Sequence, residues 1–519
     1  MTNNNHNADK SLEQWLWDAA CSIHGAIDAP KYKDFILPLV FTKRLCDVFD
    51  DEINRIAKEV GNRTKAFALV KRDKKLVRFY IPLEPANLDE PVWTVIRKLT
   101  EKIGEQLTTY LREIADENPP LKGIIDRVDF NATTHGQRDI TDDRLSALIE
   151  KMSLKRLGLN DVEADIIGRG YEFLIRKFAE EGGRSAGEFY TPKEVGMIIA
   201  RILDPEPGME VYDPCCGSGG LLIKCQAVLD EKMSLRSRKS YAPLKIYGQE
   251  YTANTWAMAN MNMIIHDLEG IIEIGDTFKS PKFRDKSGLQ TFDRVVANPM
   301  WNQDWFTDKD YDADEFGRFP KGAGFPGKQS ADWGWVQHIL ASLNKNGRAA
   351  VVLDTGAASR GSGSVNLTKE TEVRKWFVEN DLIEAVLYLP ENLFYNTSAP
   401  GIVLFLNRNK IINRKNQIML INANSEFEKC TPKNFIPEFN VLHIVNTFSN
   451  WIEEENFSRL LNKDEIAEND YNISPSRFIQ TDVAQEYRPL IEILDEINII
   501  EDDYRITSKN LDEILRKLD

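Results

Sequence analysis

Between residues 166 and 420, short apolar runs alternate with helix-periodic stretches, and this pattern restricts the chain to few architectures. The runs are MEVYD, KIYGQE, IIEIGD, FDRVVAN, GRAAVVL, IEAVLYLP and GIVLFLN. Strands that alternate with helices predict an α/β domain with a largely parallel sheet. Ligands of such sheets sit beyond the carboxyl ends of the strands, so chemistry-bearing residues matter most there.

The flanking regions read differently. Residues 1–165 form a mainly helical domain. Trp15, Ala19 and Ile23 share a helical stripe in LEQWLWDAACSIHG, and YKDFILPLVFTKRLCDVFDDEINRIAKEV continues as a second helix, bent near Pro38. LVRFYIP (76–82) is the strand candidate of this domain. Residues 421–519 end in two amphipathic stripes, Leu490, Ile493, Leu494 and Ile497, then Leu511, Ile514, Leu515 and Leu518. Such stripes either pack on their own domain or dock a partner helix.

No apolar run reaches the ~18–20 residues of a membrane span, and the polar start MTNNNHNADK has no signal-peptide core, so a cytoplasmic protein is expected. Six scattered cysteines without a CxxC pair imply reduced thiols, and six scattered histidines suggest no metal site. His266 and His338 read as structural. The net charge of −15 matters more. Phosphate contacts supply most of the affinity of DNA binders, so an acidic chain that works on DNA needs a partner to grip it.

VYDPCCGSGGLLIKC (211–225) reads as strand, tight turn and helix. Gly217, Gly219 and Gly220 allow a sharp turn and close approach of a ligand, and Ser218 lies among them. The loop is neither the GxGxxG fingerprint nor a P-loop, which needs a lysine after its last glycine. Asp213 ends the first strand, Glu250 the second and Asp276 the third. Glu250 stands where a carboxylate accepts both ribose hydroxyls, and Asp276 where one reads an adenine amino group. Three successive strand-end acids after a glycine loop, with no lysine for phosphates, favour S-adenosylmethionine over a nucleotide.

FDRVVANPMWNQDWF (292–306) resembles the Asn-Pro-Pro-aromatic motif of amino-methyltransferases, placed after the fourth strand. The exocyclic nitrogen of adenine is a poor nucleophile because its lone pair is delocalised into the ring. Two acceptors that grip its hydrogens free that lone pair. The resemblance gives these roles to the side-chain oxygen of Asn298 and the backbone carbonyl of Pro299, with Trp301 stacking on a base flipped out of the duplex. Met300 departs from the motif, where a second proline is usual.

GEFYTPKEV (187–195) looks like the cofactor-binding stretch that opens the methyltransferase domain of type I restriction–modification enzymes. The resemblance places Glu188, Phe189, Tyr190, Thr191, Pro192 and Lys193 along the cofactor. By residue type alone, Thr191 is a helix N-cap and Pro192 the first helical residue. Segments 16–41, 79–93, 332–353 and 389–408 extend the likeness to nearly the whole chain. The chain resembles the adenine-specific modification subunit of these systems. The implied fold is a class I S-adenosylmethionine-dependent methyltransferase, an α/β Rossmann-like mixed sheet, with a helical N-terminal domain and a helical C-terminal tail. The implied boundaries are 1–165, 166–420 and 421–519. Two copies would join one specificity subunit that selects the DNA target, and a restriction subunit can complete the complex.

FGRFPKGAGFPGKQSADWGW (316–335), with Arg318, Lys321 and Lys328, reads either as a mobile loop that orders over DNA or as a plain surface loop. Two other functions stay open from the sequence: methylation of another amino or amide group, such as a protein glutamine, and a non-catalytic assembly subunit.

Overall fold

The seven apolar runs form seven strands of one nine-stranded mixed sheet in the computed structural model. The model describes residues 12–480 apart from 22–28, 160, 163, 182–190, 237–239, 287, 304–306, 328–329, 365–367 and 396. The strands are β1 (Glu210–Asp213), β2 (Lys245–Glu250), β3 (Gly270–Ile274), β4 (Phe292–Ala297), β5 (Leu343–Asp354), β6 (Ile383–Tyr388), β7 (Gly401–Asn407), β8 (Gln417–Asn422) and β9 (Ser458–Asn462). Their spatial order is β9-β8-β6-β7-β5-β4-β1-β2-β3. From β3 to β5 all neighbours are parallel. β7 enters antiparallel between β5 and β6, and β9 closes the far edge antiparallel to β8.

The central strands are almost continuously apolar because helices cover both faces. Along β5, Ala350 and Val352 belong to the core beneath the helices Lys193–Leu203, Gly220–Leu235 and Glu438–Asn450. Ala349, Val351 and Leu353 point the other way, to the core under Asp332–Ala341 and Lys369–Glu379. This period of two sorts one strand between two cores.

The N-terminal helices Leu12–Ala20, Ala29–Val60, Arg63–Arg72, Ile103–Glu117 and Asp142–Met152 share a separate core. It takes in Ala257, Met258, Met261 and Ile265 of the sheet-side helix Ala253–Ile265, so this region is fastened to the sheet by apolar packing. Pro38 lies inside the continuous helix Ala29–Val60. Trp15 and Ala19 are buried as their stripe requires, while Ile23 lies outside the described residues. The buried pair Lys224–Glu172, 2.8 Å apart, adds a tie between Ala164–Glu181 and the helix after the glycine loop.

Two expectations need correction. LVRFYIP (76–82) is not a strand. Its backbone bonds go to side chains instead: the Tyr80 N–H donates to Asn118 Oδ1, Asn118 Nδ2 donates to the Tyr80 carbonyl, and the Arg78 N–H donates to Glu52. The boundary expected at 420 cuts through β8, and β9 extends the same sheet, so residues 421–479 contribute to the sheet layer. The two terminal stripes, Leu490–Ile497 and Leu511–Leu518, lie outside the described residues. Among the described residues, no helix is long and apolar enough to cross a membrane.

Candidate active site

Register brings the strand-end residues to one edge. Asp213 of β1 pairs with Gly248 of β2, and Tyr212 with Val295 of β4. Ala297, the residue before Asn298, pairs with Val351 of β5. Because β7 is antiparallel, it starts at this same edge: Gly401 pairs with Asp354, the last residue of β5.

The glycine loop is built as the sequence predicts. Gly217 and Gly219 have φ of +54° and +80°, where a Cβ is strained. Gly219 is the N-cap of Gly220–Leu235 and supplies no side-chain cap, so the helix start offers free N–H groups. Asn262 Nδ2 holds the loop from below through the Ser218 carbonyl at 3.0 Å.

The three acids differ in their engagement. The Asp213 carboxyl is buried and accepts the Cys215 N–H at 2.9 Å. Burial, reinforced by the charge of Glu250 and opposed by the Cys215 hydrogen bonds, pushes its pKa up to about 7. None of the described lysines or arginines forms an ion pair with it. Glu250 accepts the Gly217 N–H at 3.1 Å and the Thr252 N–H at 2.7 Å, which ties the glycine loop to the end of β2. Asp276 Oδ1 accepts the N–H groups of Phe278 and Lys279, so one of its oxygens closes a turn.

Asn298 is buried at the end of β4. Its Nδ2 donates to Thr191 Oγ1 at 3.0 Å, while its Oδ1 is buried with no hydrogen-bond partner among the described residues. An orphan buried acceptor is costly unless something fills it. Pro299 is buried and Met300 is 42% exposed, so the residue that departs from the motif faces outward. Trp301 packs edge-on to Phe394 at 4.9 Å between ring centres. Both rings lie against Gly401, where a Cβ would come within 2.9 Å of each. The glycine thus makes room for the aromatic wall.

Thr191 is not the helix cap. Pro192 takes that position and Lys193 is the first helical residue, one step later than expected, leaving the Thr191 hydroxyl to meet Asn298. Glu188, Phe189 and Tyr190 lie outside the described residues.

Sequence reasoning missed the support beneath the catalytic loop. Asn302, with φ of +54°, follows the motif directly. Its N–H donates to Asp332 at 3.0 Å and its side-chain oxygen accepts from Arg360 at 2.8 Å. Arg360 also pairs with Asp332, with Asp354 at 2.7 Å and with Glu370 at 2.9 Å. The motif residues carry no local signal for this hub, whose members come from separate segments. The expectation for Arg318 is also corrected. It is buried, bonded to Asp314 at 2.7 Å and to the Phe278 carbonyl at 2.8 Å, and lies near the rings of Phe278, Phe316 and Phe319. Tyr311 stacks on Phe325 in the same segment, and Lys321 is exposed, while Lys328 lies outside the described residues. His338 is structural: both ring nitrogens are buried with no hydrogen-bond partner among the described residues, and burial pushes its pKa well down, so it is neutral.

Comparison with known proteins bears on the family and the fold. The sequence model described as N-6 DNA Methylase matches residues 162–487, and that of the HsdM N-terminal domain matches residues 12–152. The MjaVII methylase subunit of a type I restriction enzyme from Methanocaldococcus jannaschii is 33% identical over 493 residues, covering 92% of this chain and 80% of that protein. The MpnII methylase subunit from Mycoplasma pneumoniae is 28% identical over 541 residues, covering 98% of this chain and 93% of its own length. The crystal structure of a type I restriction-modification methyltransferase subunit from Streptococcus thermophilus superposes with a TM-score of 0.74 at 25% identity, covering 90% of this chain and 99% of that one.

Proposed function

Because the chain belongs to the N-6 DNA methylase family and is a modification subunit of the type I restriction–modification kind, we propose that the edge site described above transfers a methyl group from S-adenosylmethionine to N6 of adenine in DNA. The observation that carries the residue assignment is Asn298, whose amide nitrogen is tethered while its buried oxygen has no partner among the described residues. An adenine amino group is the donor such an oxygen lacks. Asn298 Oδ1 and the Pro299 carbonyl accept the two amino hydrogens and free the lone pair for attack. Trp301, backed by Phe394, stacks on the flipped base.

The cofactor supplies an electrophilic methyl group on a sulfonium, which removes the need for a metal or a strong base. The residues present fit it. Gly217, Ser218, Gly219 and Gly220 give a turn that a ligand can approach closely. Asp213 offers a buried carboxylate to a cationic group. Glu250 is held at the strand end where a ribose is bound, and Asp276 stands at the end of β3 for the adenine of the cofactor. Thr191, Pro192 and Lys193 belong to the stretch that the resemblance assigns to the cofactor, as do Glu188, Phe189 and Tyr190, which lie outside the described residues. Positioning carries much of the rate acceleration.

The net charge of −15 supports a division of labour in which another subunit grips DNA and selects the target. Two copies of this chain assemble with one specificity subunit, a restriction subunit joins that complex, and the stripes at 490–497 and 511–518 serve the docking. The complex acts in the cytoplasm. Tritiated methyl transfer tests the assignment: label enters adenine-containing duplex only when the specificity subunit is present. Label entering glutamine-containing protein instead, or cofactor binding without any transfer, would overturn it.

A further inference from the structure

The amide of asparagine is nearly symmetric in shape, so a site that uses its oxygen as an acceptor must also keep its nitrogen away from the substrate. Among the described residues, that task at Asn298 falls to one contact. Nδ2 donates to Thr191 Oγ1 at 3.0 Å across 107 residues of sequence. Asn298 directly follows β4, and Thr191 precedes the helix Lys193–Leu203 by two residues. That helix is anchored by Val195, Ile198 and Ile199, all fully buried. The hydroxyl therefore sits two residues from the start of an anchored helix, which fixes it where it can hold the carboxamide in one rotamer.

We propose that Thr191 is a positioning residue for methyl transfer: its hydroxyl, as acceptor for Asn298 Nδ2, turns Oδ1 toward the amino group to be methylated. This inference rests on the adenine methyltransferase reading. It assigns Thr191 a task beyond lining the cofactor. With the amide reversed, two N–H donors would face each other across the site and the amino group would lose one of its acceptors. Donation by Nδ2 also polarises the carboxamide, which strengthens Oδ1 as an acceptor.

The test uses the assembled methyltransferase with duplex DNA, measuring single-turnover transfer at saturating cofactor and, separately, cofactor affinity. Thr191→Val keeps the shape and removes the hydroxyl. At saturating cofactor it should lower the transfer rate roughly 5- to 30-fold, the effect of losing one buried hydrogen bond and orphaning its donor, whatever change in cofactor affinity accompanies it. Thr191→Ser should restore most of the rate, an outcome that a purely steric role would not give. If Thr191→Val folds poorly, the pair Thr191→Ala and Thr191→Ser makes the same comparison. A rate for Thr191→Val within twofold of wild type, or a defect that vanishes on saturation with cofactor, overturns the proposal alone. Absence of N6-methyladenine with the wild-type complex overturns the functional reading and the proposal with it.

Discussion

Arg360 shares one positive charge among Asp332, Asp354 and Glu370, and its removal tests whether this hub holds the catalytic loop. Burial works against the guanidinium charge. The hydrogen bonds and charges of Glu370 and Asp332 outweigh it, and its pKa stands above that of an ordinary arginine. Glu370 is nevertheless pushed up by burial, although Arg360 pulls it down, as expected where one cation serves several acids. Arg360→Met leaves the fully buried Asp332 without its cation. Breaking a buried pair in this way costs about 3–5 kcal/mol. The Arg360 side chain is 29% exposed, so the lower end applies. A loss of about 3 kcal/mol corresponds to a fall of roughly 3–6 °C in melting temperature.

The pH dependence gives a sharper signature. Without the arginine, Glu370, which burial already pushes up, loses the hydrogen bond and charge that pull it down. Its share of the destabilisation is then complete at pH 8 and shrinks as it protonates on the way to pH 5. Because Asn302 loses its Arg360 contact, single-turnover transfer should also fall, by roughly 10- to 100-fold. Thermal melting across this pH range and transfer kinetics, with Arg360→Lys as an intermediate case, check both claims. A melting difference below 1 °C throughout, or unchanged transfer, would refute the argument.

Two further outcomes are expected. Since the Asp213 pKa is pushed up to about 7, its stabilising contribution to the cofactor-free fold is present at low pH and is lost as pH rises through 7. Cofactor cations bind the ionised form, so affinity should tighten about tenfold from pH 6 to pH 8 with proton release. Calorimetry in buffers of different ionisation enthalpy reads this, and a flat response, or an equal response in Asp213→Asn, contradicts it. Gly401→Ala places a Cβ 2.9 Å from Trp301 and Phe394 and should displace the aromatic wall. Transfer should drop about tenfold with cofactor affinity unchanged, and normal transfer would count against Trp301 as the stacking surface.

The seven apolar runs were legible because strands buried on both faces announce themselves as continuous Val, Ile and Leu. β9 was not: SRLLN is short and lies at an edge, where one face need not be apolar. LVRFYIP carries strand-like residues, yet Asn118 and Glu52 satisfy its backbone, and no local pattern reveals a side chain that replaces a ladder. At the site, the glycine loop and the strand-end acids could be read because each lies within a local strand–turn–helix unit. Thr191–Asn298 and the Arg360 hub could not, since both depend on which segments the sheet order makes neighbours. Arg318 misled for a related reason. Its glycine-rich surroundings suggest exposure, but Asp314 and the backbone carbonyl of Phe278 bind it inside.

The central claim is that Asn298 Oδ1 accepts a hydrogen from the amino group being methylated. Nucleoside mass spectrometry after single-turnover reaction, with cofactor binding measured in parallel, tests it most directly. Wild type should yield N6-methyladenine, and Asn298→Ala should bind cofactor with near-normal affinity while losing transfer by about a hundredfold or more, as for removal of a group that stabilises developing charge. N6-methyladenine formed by Asn298→Ala at a rate close to wild type would contradict the account.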